Sequence, residues 1–146
     1  MVDNFASKGE RVAFQGEHGA YSEMATMQYF RTSNIVAMKS LQEVFDTLRK
    51  DEVDFAVVPI ENSIEGSVNE TYDLLLNSNA LVSGEIYQRV RHCLIINKGE
   101  HSNIRSVYSH PQALAQCRRY LHERKLTPVA AYDTAGAVKM IKKKKI

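Results

Sequence analysis

Short apolar runs alternate along this chain with segments whose apolar residues recur every three or four positions. Residues 11–15 (RVAFQ) lack an alternating polar face and read as a short strand, followed by the turn Gly16-Glu17-His18-Gly19. In the next stretch, AYSEMATMQYF, residues Ala20, Met24, Met27 and Phe30 fall near helical spacing. Residues 35–38 form the next strand, and Ser40-Leu41-Gln42-Glu43 is a capping box in front of Leu41, Val44, Phe45 and Leu48. Residues 53–60 are apolar enough for a strand buried on both faces, as parallel strands usually are. That run stops at a polar cluster, Glu61-Asn62-Ser63, and a second capping box, Ser67-Val68-Asn69-Glu70, opens a helix through Tyr72, Leu75 and Leu76. Three strand–helix units in a row predict a doubly wound parallel lobe over residues 11–80.

The pattern changes at residues 81–97 (LVSGEIYQRVRHCLIIN), which are β-branched and partly alternating and predict a strand-rich crossover into a second lobe. Residues 104–108 read as a strand, Ser109-His110-Pro111-Gln112 as a helix start with proline in the first turn, and 113–125 as the helix. Residues 128–132 are again a strand, and Asp133-Thr134-Ala135-Gly136 cap a last helix carrying Ala137, Met140 and Ile141. The expected fold class is α/β, two-lobed, with parallel-rich sheets, the crossover and second lobe occupying residues 81–146. There is no repeat at fixed period.

Composition narrows the function classes. An apolar content of 44% over 146 residues supports a buried core in one domain or two small lobes. The net charge of +2 depends on the four lysines at 142–145, so the basic character belongs to a solvated helix end and not to a nucleic-acid face. No apolar run approaches the ~18 residues that span a bilayer, and the N-terminus lacks a signal-peptide layout, so a cytoplasmic protein with no membrane partner is expected. Cys93 and Cys117 have no CxxC spacing and read as reduced thiols. The histidines form neither HExxH nor an i, i+4 pair, so no metal is expected.

Four strand-to-helix junctions carry polar or small residues, at 16–22, 61–67, 109–116 and 133–136. Strand ends and helix N-termini of this kind suit a small anion, because unpaired N–H groups and the helix dipole both favour negative charge there. Gln112 and Gln116 share a helix face and can donate to ligand oxygens without adding charge. Ser67, Ser109 and Thr134 are also read as ordinary helix caps. Glu61 and Glu65 are too close in sequence for a glycosidase pair. Neighbouring Ser109 and His110 diverge, no GxSxG is present, and Cys117 reads as core.

FQGEHGAYSE, VVPIENSIEGSV, YSHPQALAQC and YDTAGAV, in this order, resemble the prephenate dehydratase family from Arg11 onward. The resemblance implies two lobes of the periplasmic-binding-protein type (type 2) with a substrate cleft between them. It also implies a lyase that converts prephenate to phenylpyruvate in phenylalanine biosynthesis, losing water and carbon dioxide, with no metal or organic cofactor. By the same resemblance Asn62, flanked by Glu61 and Ser63, contacts substrate in the first lobe, and Ser109 and Gln116 do so in the second, where the shared helix face adds Gln112 to the expected substrate-binding residues. Gly16, Gly19 and Thr134 would line the cleft, although the family often has proline after the first glycine, where this chain has Glu17-His18. The family's Thr-Arg-Phe motif, whose threonine is taken to protonate the leaving hydroxyl, does not occur in the chain, nor does an ACT domain. The expectation is therefore the N-terminal part of a catalytic domain, with an incomplete second lobe, no catalytic residue assigned and exposed sheet edges that favour a homo-oligomer. A binding module for a small carboxylate and an arogenate dehydratase are the alternatives.

Overall fold

Val12, Ala13 and Phe14 are completely buried, and the first sheet is built around them. In the computed structural model, which describes residues 9–30, 34–97 and 104–144, they lie on β1 (Arg11–Gln15). β1 pairs in parallel with β2 (Asn34–Met38) along its whole length, from Arg11↔Asn34 to Gln15↔Met38. On its other side it pairs in parallel with β3 (Phe55–Val57), from Val12↔Phe55 to Phe14↔Val57, so the strand order is β2-β1-β3. The expected third strand over residues 53–60 is thus shorter, and it is half-buried because it stands at the edge of this sheet. The strand buried on both faces is the central one.

Helix α2 (Leu41–Arg49) starts as its capping box predicts. Ser40 Oγ accepts from the Glu43 N–H at 3.1 Å, and the Glu43 carboxylate reaches back to the Lys39 N–H at 2.8 Å, one residue before the usual target. Val44 packs with Ala13 and Val53 in the core, with Met38, Leu48, Ala56 and Val58 around them. Helix α1 (Tyr21–Phe30) turns a different face inward from the expected one: Ala25, Thr26 and Phe30 are buried, whereas Met24 and Met27 are exposed. Thr26 is tolerated in the core because its hydroxyl donates to the Ser22 carbonyl at 2.7 Å.

β4 (Glu61–Asn62) and β5 (Gly66–Ser67) form a small antiparallel hairpin ahead of α3 (Asn69–Leu76). The second capping box does not form. Ser67 is held in the hairpin opposite Glu61, and Val68, which has no side-chain acceptor, stands at the cap position. Thr71 anchors the helix instead, donating from its buried hydroxyl to the Pro59 carbonyl at 2.7 Å.

The chain divides into two compact units between Arg89 and Val90. In the second, β6 (Ser106–Ser109) and β7 (Thr127–Ala130) pair in parallel, from Ser106↔Thr127 to Ser109↔Ala130. The helix expected over 113–125 is two short helices, α4 (Pro111–Gln116) and α5 (Arg118–Glu123), interrupted at Cys117, whose ψ is 4°. The last helix is α6 (Thr134–Lys144). The strand-rich reading of residues 81–97 is corrected: this segment contains no strand. Its β-branched residues favour an extended chain, but a strand exists only as a member of a ladder, and no described segment pairs with it.

Candidate functional site

In the first unit the junction after β1 is a loop fixed at both glycines. Gly16 has φ of 122°, its N–H donates to Met38 O at 2.8 Å, and a Cβ there would come within 3.3 Å of the Ala20 methyl. Gly19, at φ of 97°, donates its N–H to Glu23 Oε2 at 2.6 Å. The other Glu23 oxygen, Oε1, lies 2.6 Å from His18 Nδ1, and the His18 ring stands edge-on to Phe14 with centroids 6.1 Å apart.

The junction after β3 is the β4–β5 hairpin. Asn62 Oδ1 accepts from the Ile64 N–H at 2.9 Å and, more weakly, from the Glu65 N–H at 3.4 Å, an Asx turn that holds the hairpin tip. Its amide nitrogen makes no hydrogen bond among the described residues, so two donors remain for a ligand. Glu61 and Ser63 on either side are exposed. Because β1 and β3 are neighbours running the same way, this hairpin and the Gly16–Gly19 loop both leave the C-terminal edge of one sheet.

In the second unit Ser109 and Thr134 come together, their hydroxyl oxygens 3.0 Å apart. Neither is a helix cap. His110 caps α4, its Nδ1 accepting from the Gln112 N–H, and Asp133 caps α6, its Oδ1 accepting from the Gly136 N–H at 2.8 Å. Ser109 is buried and Thr134 exposed, so the pair is a polar point at the surface with one hydroxyl anchored below it. Gln112 is exposed on α4. Gln116 is half-buried, and its Oε1 lies 2.8 Å from His92 Nε2, which leaves its NH2 group to donate elsewhere. Burial pushes the Cys117 thiol above its ordinary pKa, which keeps it protonated and a poor nucleophile.

The residues singled out from sequence therefore form two groups. Gly16, Gly19, Glu61, Asn62 and Ser63 share one sheet edge in the first unit. In the second, Ser109 ends β6, Gln112 and Gln116 lie along α4, and Thr134 starts α6. Sequence reasoning gave no site role to Glu23, His18 or His92. The four-residue step from Gly19 to Glu23 is a readable local signal, whereas His92 meets Gln116 across 24 residues and carries none. Among the described residues no three His, Cys, Asp or Glu side chains gather as metal ligands.

Residues 12–146 match the family model for prephenate dehydratase. The chain belongs to the prephenate dehydratase family. It is 46% identical over 132 residues to the Arabidopsis thaliana protein named arogenate dehydratase/prephenate dehydratase 2, chloroplastic, a match covering 90% of this chain and 35% of that one. It is 37% identical over 136 residues to the bifunctional chorismate mutase/prephenate dehydratase of Pseudomonas aeruginosa, covering 90% and 37%. The chain thus spans about a third of the length of these curated relatives. Among solved structures, the prephenate dehydratase of Staphylococcus aureus superposes with a TM-score of 0.67 at 28% identity, over 89% of this chain and 50% of that one. GqqA, described as a novel type of quorum quenching acylase, superposes with a TM-score of 0.82 at 32% identity, over 92% and 50%. The α/β architecture with parallel-rich sheets is the periplasmic-binding-protein-like fold of prephenate dehydratases. No helix among the described residues is long and apolar enough to cross a membrane.

Proposed function

We propose that this chain supplies substrate-holding elements of an enzyme that converts prephenate to phenylpyruvate, with loss of water and carbon dioxide, in phenylalanine biosynthesis. The observation that carries the reading is the chemistry of the two groups. The free amide donors of Asn62, the Ser109–Thr134 hydroxyl pair and the free NH2 of Gln116 are neutral groups held by their own neighbours. Prephenate presents two carboxylates on a non-aromatic ring whose aromatisation drives the reaction. Such an enzyme has chiefly to orient the ring and assist departure of hydroxide, and preorganised donors do the first without charge that would hold the product. The carboxylate lost as carbon dioxide belongs in the driest part of the site. The proton for the departing hydroxide is assigned to no residue of this chain. No cofactor enters this scheme.

The relatives named prephenate dehydratase support the reading. A second reading, arogenate as substrate, is favoured by the plant relative's name, which gives arogenate first. Hydrolytic chemistry gains nothing from the geometry, because the partner of Ser109 Oγ is the Thr134 hydroxyl and not a base. A cytoplasmic location is part of the reading and is tested by fractionation. So is self-association, supported by the exposed Leu81, Val82, Tyr87 and Ile95 and tested by sedimentation. The function itself is tested by calorimetric titration of the chain with prephenate and with arogenate, and by assay of the gene product for phenylpyruvate or phenylalanine. Binding of prephenate with phenylpyruvate formation bears out the first reading, phenylalanine from arogenate the second, and binding without turnover the receptor alternative.

A further inference from the structure

His18 is used by none of the chemistry above, yet its imidazole is tied to a carboxylate and set against an aromatic ring at the edge where Asn62 lies. It follows the central strand β1, and the sheet order puts its loop next to the hairpin that follows β3. Its Nδ1 is tied to Glu23 Oε1 at 2.6 Å. Glu23 in turn is mostly shielded, with 15% of its side chain exposed, and is fixed by the Gly19 N–H on its second oxygen. The Phe14 ring, from the buried centre of β1, meets the edge of the imidazole. A carboxylate on Nδ1 requires a hydrogen there, so the position left for a ligand is Nε2, which has no partner among the described residues while the ring itself is 64% exposed.

We propose that His18 is a ligand-binding residue of this site, whose Nε2–H donates to a carboxylate of the substrate while Glu23 and Phe14 hold the ring. In the imidazolium form both nitrogens are donors, one spent on Glu23 and the other on the ligand. The two carboxylates, Glu23 and the substrate's, then share one positive charge from opposite sides of the ring. The facing groups are Glu23 from α1 and Phe14 from β1, with Glu17 as the chain neighbour. His18 therefore adds a donor at the sheet edge that carries Asn62, and the proposal rests on the reading of the site as one for prephenate.

The test is a titration of the isotope-labelled 146-residue chain with prephenate, following the His18 imidazole nitrogens and the Asn62 side-chain amide by NMR. Two variants separate the ring nitrogens. His18→Asn places an amide near Nδ1 and loses the outer donor, and His18→Gln carries a donor near Nε2. The expected result is that Nε2 and the Asn62 amide shift with one dissociation constant, that His18→Asn weakens binding roughly tenfold as for a lost charge-assisted hydrogen bond, and that His18→Gln restores most of it. A shift at Asn62 with Nε2 unmoved and equal affinity in His18→Asn overturns the role of His18 and leaves the site reading standing. No shift at either residue overturns both. Amide spectra of both variants matching the parent chain establish that the fold is intact.

Discussion

Asn62 divides its amide between two tasks, and the division can be separated experimentally. Its oxygen holds the hairpin tip while its nitrogen is left over, so Asn62→Asp keeps the turn and removes the donor. We expect its melting temperature to stay within a few degrees of the parent and prephenate affinity, read by calorimetry, to fall by at least tenfold, whereas Asn62→Ala loses the turn as well and costs about 1 kcal/mol of stability. Asp54 offers a pH handle. The Arg11 N–H bonded to its carboxylate, then the Arg11 guanidinium, holds its pKa below the ordinary 3.8. A group depressed in the folded state adds stability above its unfolded pKa and loses it as pH falls through the folded value. The melting-temperature advantage of the parent over Asp54→Asn should therefore be constant from pH 7 to about 5 and shrink below pH 4. The sequence marked Ser109 and Thr134 as polar residues at junctions that could cap the helices there. His110 and Asp133 take those caps instead, a competition between neighbours that spacing alone does not settle.

Two helices end in the same way. Asp51 after α2 and Lys125 after α5 both adopt left-handed backbone, at φ of 55° and 53°. Each is followed by an N–H that reaches back five residues, Glu52 to Thr47 O and Leu126 to Leu121 O. A side chain in that conformation carries about 1 kcal/mol of strain that glycine avoids. Lys125→Gly is thus expected to raise stability by up to about 1 kcal/mol in denaturant unfolding, since Lys125 is exposed and has only its backbone engaged there. The capping boxes show what is legible in an element and what is not. Ser40 stands before a helix with no ladder partner and caps it, while Ser67 is paired with Glu61 in the hairpin and does not cap α3. Residues 81–97 fail for a related reason: strand propensity was readable, but the partner a strand needs is not written in its own residues.

Most of the α/β alternation could be read directly, because strand and helix periods differ and each unit carries its own glycine or capping signal. Which strand sits at the centre could not, since RVAFQ and FAVVPI look equally apolar and only the pairing makes the first central and the second an edge. Phe14 illustrates the consequence. It is completely buried between two strands, so Phe14→Ala is expected to cost about 3–5 kcal/mol in denaturant unfolding, against about 1 kcal/mol for the half-buried Val57→Ala.

The register of β6 and β7 also helps to set the spacing of two hydroxyls. Ser109 is paired with Ala130, and the Ala131 N–H closes the ladder on Ser109 O at 2.8 Å. Ser109, at the last rung of the sheet, thereby meets Thr134 at the start of α6, 25 residues on, with their hydroxyl oxygens 3.0 Å apart. A slip of one residue would bring Tyr108 to that rung with its side chain on the opposite face, and the pair would vanish. The backbone ladder of the second unit thus fixes where the Ser109 hydroxyl stands, and the short turn from Ala131 to the start of α6 brings the Thr134 hydroxyl to it.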